Sequence, residues 1–255
     1  MKTLVNDILK RPDIADWQAV QLRLTAFPAP SPQIESINWW SELAGDPPEK
    51  ITSQPRTSEQ IEEGAYENGK LELTVHPIRI HWRYTISEGT QFLLGKTPIL
   101  GGFSEVLDVF HKSMNQWFDL ETCPTLVRLA FGAILLQPAE NHVAAYNLLS
   151  TYLPSIDLDS ENSSDFFYQI NRVRKISMQI ADLRINRLSK WSTNRIQVEE
   201  INTQTRLPDL YACRLELDIS TPNDFDDELR REQLPEVFNE LVDFGKEIAE
   251  KGDIP

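Results

Sequence analysis

Tyr211-Ala212-Cys213-Arg214-Leu215-Glu216-Leu217-Asp218-Ile219, followed at once by Thr221-Pro222-Asn223-Asp224, decides the fold class. Apolar and charged residues alternate through the first stretch, which is the signature of a strand with one buried face. Thr221 to Asp224 then reads as a helix start, with Asn223 or Asp224 as N-cap and acids in the first turn, where the helix dipole favours them. From Phe225 to about Ala249 the period changes. Leu229, Leu234, Val237, Phe238, Leu241, Val242, Phe244 and Ile248 recur at helical spacing. Pro235 interrupts this run and is tolerated only in a first helical turn, so it divides the segment into a short turn and a main helix.

Working outward, the same two periods recur. Ala19 to Phe27, Leu71-Glu72-Leu73-Thr74-Val75 and Ile78 to Ile86 alternate as strands. Phe103, Val106, Leu107, Phe110, Met114, Trp117 and Phe118 form one apolar stripe of a helix over 103–118. Thr125 to Leu136 is nearly apolar throughout and predicts a central strand covered on both faces. Residues 1–16 predict a short helix ended by Pro12, and 140–152 a further helix. Segments 167–175, 176–188 and 194–201 predict successive antiparallel strands. The expected fold is α+β: an antiparallel sheet covered by amphipathic helices, with a long acidic C-terminal helix. Residues 1–98 read as N-terminal strands with a long Pro-rich connection at 28–69, and 99–255 as the α+β domain, or the two as one continuous domain. A connection that long is expected to order on contact with a partner, with Trp39 and Trp40 as its anchor.

Charge is unevenly distributed. The net charge is −14, and residues 199–255 hold sixteen acids against six Arg or Lys. Residues 166–198 carry seven Arg or Lys against the single acid Asp182. This division predicts two faces with opposite electrostatic preferences. Arg172, Arg174, Arg184, Lys190 and Arg195, near Tyr168 and Trp191, are candidates for anion or nucleic-acid binding. Pairing with acids of the C-terminal helix, which would consume the asymmetry within the fold, is the leading reading of these residues, and a protein interface is the third. Glu236, Glu240, Asp243 and Glu247 on the outer side of that helix are candidates for binding a protein with a basic surface. The overall negative charge argues against tight, non-specific binding to nucleic acid.

Motifs for chemistry fail on inspection. Gly95-Lys96-Thr97 resembles the end of a phosphate loop, but the required earlier glycine position holds Thr90, and Pro98 spoils the helix that should follow. Asp157-Leu158-Asp159-Ser160-Glu161 lacks the central glycine of a calcium loop. His76, His81, His111 and His142 are scattered, with no HExxH and no nucleophile elbow. Cys123 and Cys213 form no CxxC, which speaks against zinc and a disulfide framework and suits a reducing compartment. The expectation is no catalytic residues, no metal and no cofactor. With no apolar stretch of membrane-spanning length and no signal peptide, a soluble cytoplasmic protein is expected.

The order of helix 103–118, strand Val127-Arg128-Leu129-Ala130-Phe131, polar strands, strand Cys213 to Ile219 and an acidic helix rich in Leu and Phe resembles a known family. It is a sporadically distributed family of uncharacterised bacterial and phage-associated proteins. The likeness covers about residues 100–250, with 19–27 as a weaker N-terminal match. It implies the patchy occurrence of defence and mobile-element genes and supplies no catalytic residues. The expected function is a non-enzymatic recognition or regulatory subunit acting through a protein partner in such a system. The alternative is a nucleic-acid or small-ligand sensor using strands 166–198.

Overall fold

The computed structural model describes residues 13–30, 38–87, 97–176, 183–196, 199–200, 205–206, 209–223 and 228–253. In chain order the elements are β1 (Gln18–Pro28), α1 (Trp39–Ala44), β2 (Lys50–Gln54), β3 (Glu59–Tyr66), β4 (Gly69–His76), β5 (Arg79–Thr85) and β6 (Gly101–Gly102). There follow α2 (Phe103–Asp119), β7 (Leu126–Ala139), α3 (His142–Tyr152), β8 (Phe167–Asn171), β9 (Arg174–Lys175) and β10 (Arg184–Ile196). The last are β11 (Glu199–Glu200), β12 (Thr205–Arg206), β13 (Leu210–Ser220) and α4 (Leu234–Lys251). One eleven-stranded antiparallel sheet runs in the order β2-β3-β4-β5-β1-β7-β13-β10-β8, with β6 on β1 and β9 on β10. The boundary near 98–99 therefore does not separate two sheets, because β1 pairs β5 on one side and β7 on the other.

The four helices lie on one face of this sheet. Cross-strand register aligns Leu73, Trp82, Leu24, Phe131 and Ile219 in a single lateral row. Trp82 meets Trp117 of α2, with ring centroids 5.9 Å apart, and Phe131 meets Phe238 of α4 at 6.2 Å. Tyr152, at the end of α3, stacks on Trp191 of β10 on that same face. Gly245 lets α4 sit down on the sheet, since a Cβ there would lie 2.9 Å from the Phe131 ring. The opposite face carries no helix among the described residues.

This corrects the expectation for β7. It is central, but helices cover only one of its faces. Its apolar run on the other face comes from Ala130, Gly132 and Ile134, of which the first two are small and buried while Ile134 stays half-exposed. The Arg23 guanidinium occupies the space above Gly132, 3.1 Å from where a Cβ would stand.

The supposed connection at 28–69 is also corrected. It contains α1, β2 and β3, and the β2–β3–β4 meander extends the sheet to its edge. Residues 31–37 lie outside the described residues. The separate strands expected at 176–188 and 194–201 are joined over Arg184–Ile196 into one long strand, β10, whose register with β13 runs unbroken from Asn186 to Ile196, while Glu199–Glu200 forms the short strand β11. The main C-terminal helix starts where Pro235 places it, after a short separate turn. Leu229 bridges Leu126 in extended conformation, a 3-10 turn covers Arg231–Gln233, and Pro235 sits in the first turn of α4. Residues 224–227, which would follow the cap expected at Asn223 or Asp224, lie outside the described residues, as do 1–12 of the expected first helix and Gly95-Lys96.

Candidate binding surfaces

The five basic residues singled out from the sequence do not form one site. A strand sends alternate side chains to opposite faces, so Arg184 and Lys190 stand on the helix-free side while Arg195 stands on the other. Lys190 pairs with Glu216 at 2.9 Å, and Arg195 with Asp209 at 2.5 Å. Arg172 forks onto Asp253, Nε to Oδ1 at 2.5 Å and Nη2 to Oδ2 at 2.9 Å, and the Tyr168 hydroxyl donates to the same carboxylate. Arg174 reaches Glu247 at 2.6 Å. Arg184 is exposed at the start of β10. Four of the five thus meet acids of the same chain.

The centre of this neutralisation is a residue the candidate set lacked, Arg187. It projects from β10 onto the helix-covered face with only 2% of its side chain exposed, and its Nη2 donates to Glu247 at 3.0 Å. Arg174 and Arg187 both lie against the Phe244 ring, 5.4 and 5.2 Å from its centroid. The sequence signal was present but ambiguous: a basic residue at a core-facing parity of a strand, among Ile185, Ser189 and Trp191. Asp253, just past the end of α4, has its carboxyl held below the usual range, first by the Arg172 hydrogen bonds.

The acidic candidates divide as well. Glu236 and Asp243 are exposed and Glu240 is half-buried on the outer side of α4. Glu247 is turned inward to Arg174 and Arg187. Exposed Glu105, Asp108 and Asp119 of α2 extend the acidic surface, and α2 and α4 are joined by a hydrogen bond between His111 and Asn239. Trp39 and Trp40 are not an external anchor. They are 1% and 2% exposed; Trp39 donates to Thr122 and packs on Trp117, and Trp40 donates to the Leu71 carbonyl. As the longest apolar side chains of their segment, they fasten α1 to the sheet. In the 157–165 loop, Asp159 accepts from the amides of Glu161 and Asn162 and from the Asn162 side chain, which holds it as a turn.

The helix-free face of the sheet is crossed by charged rows. Lys50 and Lys70 both pair with Glu63, whose carboxyl is lowered to about 2, chiefly by their hydrogen bonds. Glu72 pairs with Arg83 at 3.1 Å, and Arg23 reaches across Gly132 to Asp218 at 3.4 Å. His81 stands beside them, its Nδ1 2.9 Å from the Thr25 hydroxyl. Burial, and then the charges of Arg79, Arg23 and Arg83, lower its pKa from 6.5 to about 4.

His81 is therefore neutral when folded at a pH where the unfolded chain already binds a proton. Between about pH 6.5 and 4 the unfolded state takes up that proton and the folded state does not, so stability falls as pH falls through this window. The expected result is an imidazole midpoint near pH 4 by NMR, with a thermal midpoint that declines over the same window and declines less in His81→Gln. A midpoint near the ordinary histidine value would contradict the geometry. Comparison with protein families, curated proteins and solved structures finds no match.

Proposed function

We propose that this protein is a non-enzymatic recognition or regulatory subunit whose docking face is the outer side of α2 and α4, and whose partner is a protein with a basic surface. The observation that supports this reading most is the position of Glu236, Glu240 and Asp243. They stand on the outer side of the helix layer, with exposed Glu105 and Asp108 on the neighbouring helix, whereas the basic strands are largely neutralised within the fold. The pair of Asp243 with Lys246, at 3.4 Å, is a surface contact and contributes little. Acids outnumber the exposed Lys112 and half-exposed Lys246 on these two helices, and a surface with such an excess of one sign speeds encounter with an oppositely charged partner and selects against like-charged ones. The family resemblance adds a setting, bacterial defence or a mobile element, and a cytoplasmic location is part of the same proposal.

The alternative of an anion sensor on strands 166–198 is weakened, because Arg172, Arg174, Lys190 and Arg195 already hold acids. The test is affinity capture from the native host at low and high salt, comparing the protein with the combined variant Glu236→Lys, Glu240→Lys and Asp243→Lys. A stoichiometric partner captured at low salt is expected to be lost at high salt and lost in the variant, whose fold is retained. Capture that survives the reversals would overturn this docking face. Glu247 must stay unchanged in this experiment, because it pairs with the buried Arg187 and so holds the fold.

A further inference from the structure

Among the described residues the large sheet ends at two edges, β2 on one side and β8 on the other. An edge strand offers its outward backbone N–H and C=O groups to any second strand, and soluble proteins guard such edges with charge or proline. Strand β2 is guarded in this way. It carries Lys50, whose side chain is 67% exposed, and is flanked by Pro48 and Pro55. Strand β8, Phe167-Tyr168-Gln169-Ile170-Asn171, holds neither a charge nor a proline.

Two hydrogen bonds fix which backbone groups of β8 point outward. The Arg172 amide donates to the Arg187 carbonyl, and on the same register the Ile176 amide donates to the Leu183 carbonyl. Opposed residues of an antiparallel pair alternate between exchanging bonds and not exchanging them. Tyr168 and Ile170 therefore address Trp191 and Ser189 of β10, and Phe167, Gln169 and Asn171 turn their N–H and C=O groups away from it. The side chains of these three are exposed on the helix-free face. Phe167 is 62% exposed, and Val173, in line with it past the other end of the strand, is 55% exposed. Charge is also sorted by ends. Asp157, Asp159, Glu161 and Asp165 are exposed ahead of β8, while Lys175 and Arg184, directly opposite each other, are exposed beyond it.

We propose that β8 pairs antiparallel with β8 of a second copy of this chain, across a two-fold axis normal to the sheet at Gln169. Of the three outward-facing positions, Gln169 is the one whose axis pairs the whole strand with itself. Phe167 then lies opposite Asn171 of the second copy, and each opposed outward pair exchanges two backbone hydrogen bonds. Phe167 also lies diagonal to Val173 of the second copy, within reach of an aromatic side chain, so both exposed apolar residues gain cover. The acidic flank of each copy meets the Lys175 and Arg184 end of the other. An extended peptide from another protein could use the same backbone groups, but opposite signs at the two ends of one strand are what self-pairing requires. The net charge of −14 on each copy opposes association, yet charges more than about 8 Å apart are largely screened at physiological salt. A two-fold normal to the sheet keeps both helix layers on one side, so the dimer presents two acidic faces together. The β8 edge is separate from the docking face on α2 and α4, and either can fail alone.

A five-residue strand is roughly 17 Å long, so the contact is small and the dimer weak. The test is sedimentation velocity of the full chain at physiological salt, from about 1 μM to about 1 mM, the range of small interfaces. A monomer–dimer equilibrium is expected. Gln169→Lys and Gln169→Glu each set like charges directly opposite across the axis and are expected to weaken it by about tenfold or more. A one-to-one mixture of the two variants is expected to restore the dimer, because the charges opposite each other are then unlike. Gln169 is exposed, so neither change touches the core, and circular dichroism checks that both fold. Gln169→Pro is a further variant: it deletes an outward N–H, which an edge strand tolerates, and is expected to abolish the dimer. A monomer throughout the range would overturn the proposal, as would a dimer indifferent to these variants or a mixture that fails to recover it. Assemblies growing beyond the dimer would also overturn it, by assigning head-to-tail pairing of β8 with β2.

Discussion

Glu247→Gln is expected to destabilise the protein by about 3–5 kcal/mol, the range for breaking a buried pair from one side. Glu247 holds two arginines, Arg174 at 2.6 Å and Arg187 at 3.0 Å. Arg174 is partly exposed and can turn to water. Arg187 cannot, since only 2% of its side chain is accessible and it is enclosed between β10, the Phe244 ring and α4. A glutamine keeps the volume and one hydrogen bond but leaves the guanidinium charge unpaired in a poorly solvated place. Denaturant unfolding at neutral pH measures the loss as a lower midpoint with an unchanged slope. Glu236→Gln on the same helix serves as the control, expected within about 0.5 kcal/mol of wild type as a surface change. Replacing both partners, Glu247→Leu with Arg187→Met, is expected to recover most of the loss, because the cost lies in the stranded charge. If Glu247→Gln matched Glu236→Gln, the buried pair would carry none of the weight assigned to it. A reversal of the acidic surface that included Glu247 would thus destabilise the fold, and that loss would be mistaken for loss of a partner.

Trp17→Ala is expected to lower stability by about 3–5 kcal/mol, the range for truncating a large core aromatic. Trp17 immediately precedes β1 and is fully buried. Its indole N–H donates to the Ala249 carbonyl at 2.8 Å, and its ring lies 5.1 Å from Tyr152 and 6.2 Å from Trp191. Its own carbonyl accepts from the Phe103 amide at the start of α2. One side chain therefore links the ends of α3 and α4 to the middle of the sheet. Truncation leaves a cavity among rigid rings that cannot collapse to fill it. Trp17→Phe separates the contributions: it retains most of the packing and is expected to lose the hydrogen bond, worth about 1 kcal/mol, plus a smaller void. Calorimetry or denaturant titration of both variants checks the order. A Trp17→Ala protein of near-native stability would show that the three elements are joined by something else.

Legibility in the sequence followed how many core side chains each element contributes. In β4 and β5, in β1 from Leu22 to Ala26 and in β13 from Cys213 to Ile219, every second residue is apolar and buried, so the alternation could be read directly. Helix α2 places its apolar residues in a single stripe for the same reason. Strand β2, Lys50–Gln54, buries no side chain. It lies at the sheet edge, held by backbone pairing to β3, and pairing without burial leaves no mark on composition. Strand β10 hides its period for a different reason. Its core-facing positions include Arg187 and Ser189 between Ile185 and Trp191, so two polar residues interrupt the alternation and make one strand resemble two. Tandem Trp39-Trp40 was visible as an apolar island. The sequence could not say whether its partner was another protein or α2 and β4 of the same chain.

The sequence by itself determined the periods of most strands and helices, the antiparallel α+β class and the total charge. Those depend on residues near one another along the chain, where spacing alone decides which side chains share a face. Which charges remain available for binding was decided only by the tertiary structure. Glu247 and Arg187 are 60 residues apart, and Arg23 and Asp218 are 195 apart. Sequence segments of opposite sign therefore did not correspond to surfaces of opposite sign. The basic segment folds onto the end of the acidic helix and cancels it there, while arginines from three separate strands gather on the far face. Electrostatic potential is set by distance in space and by burial, and cross-strand register, not chain order, fixes both.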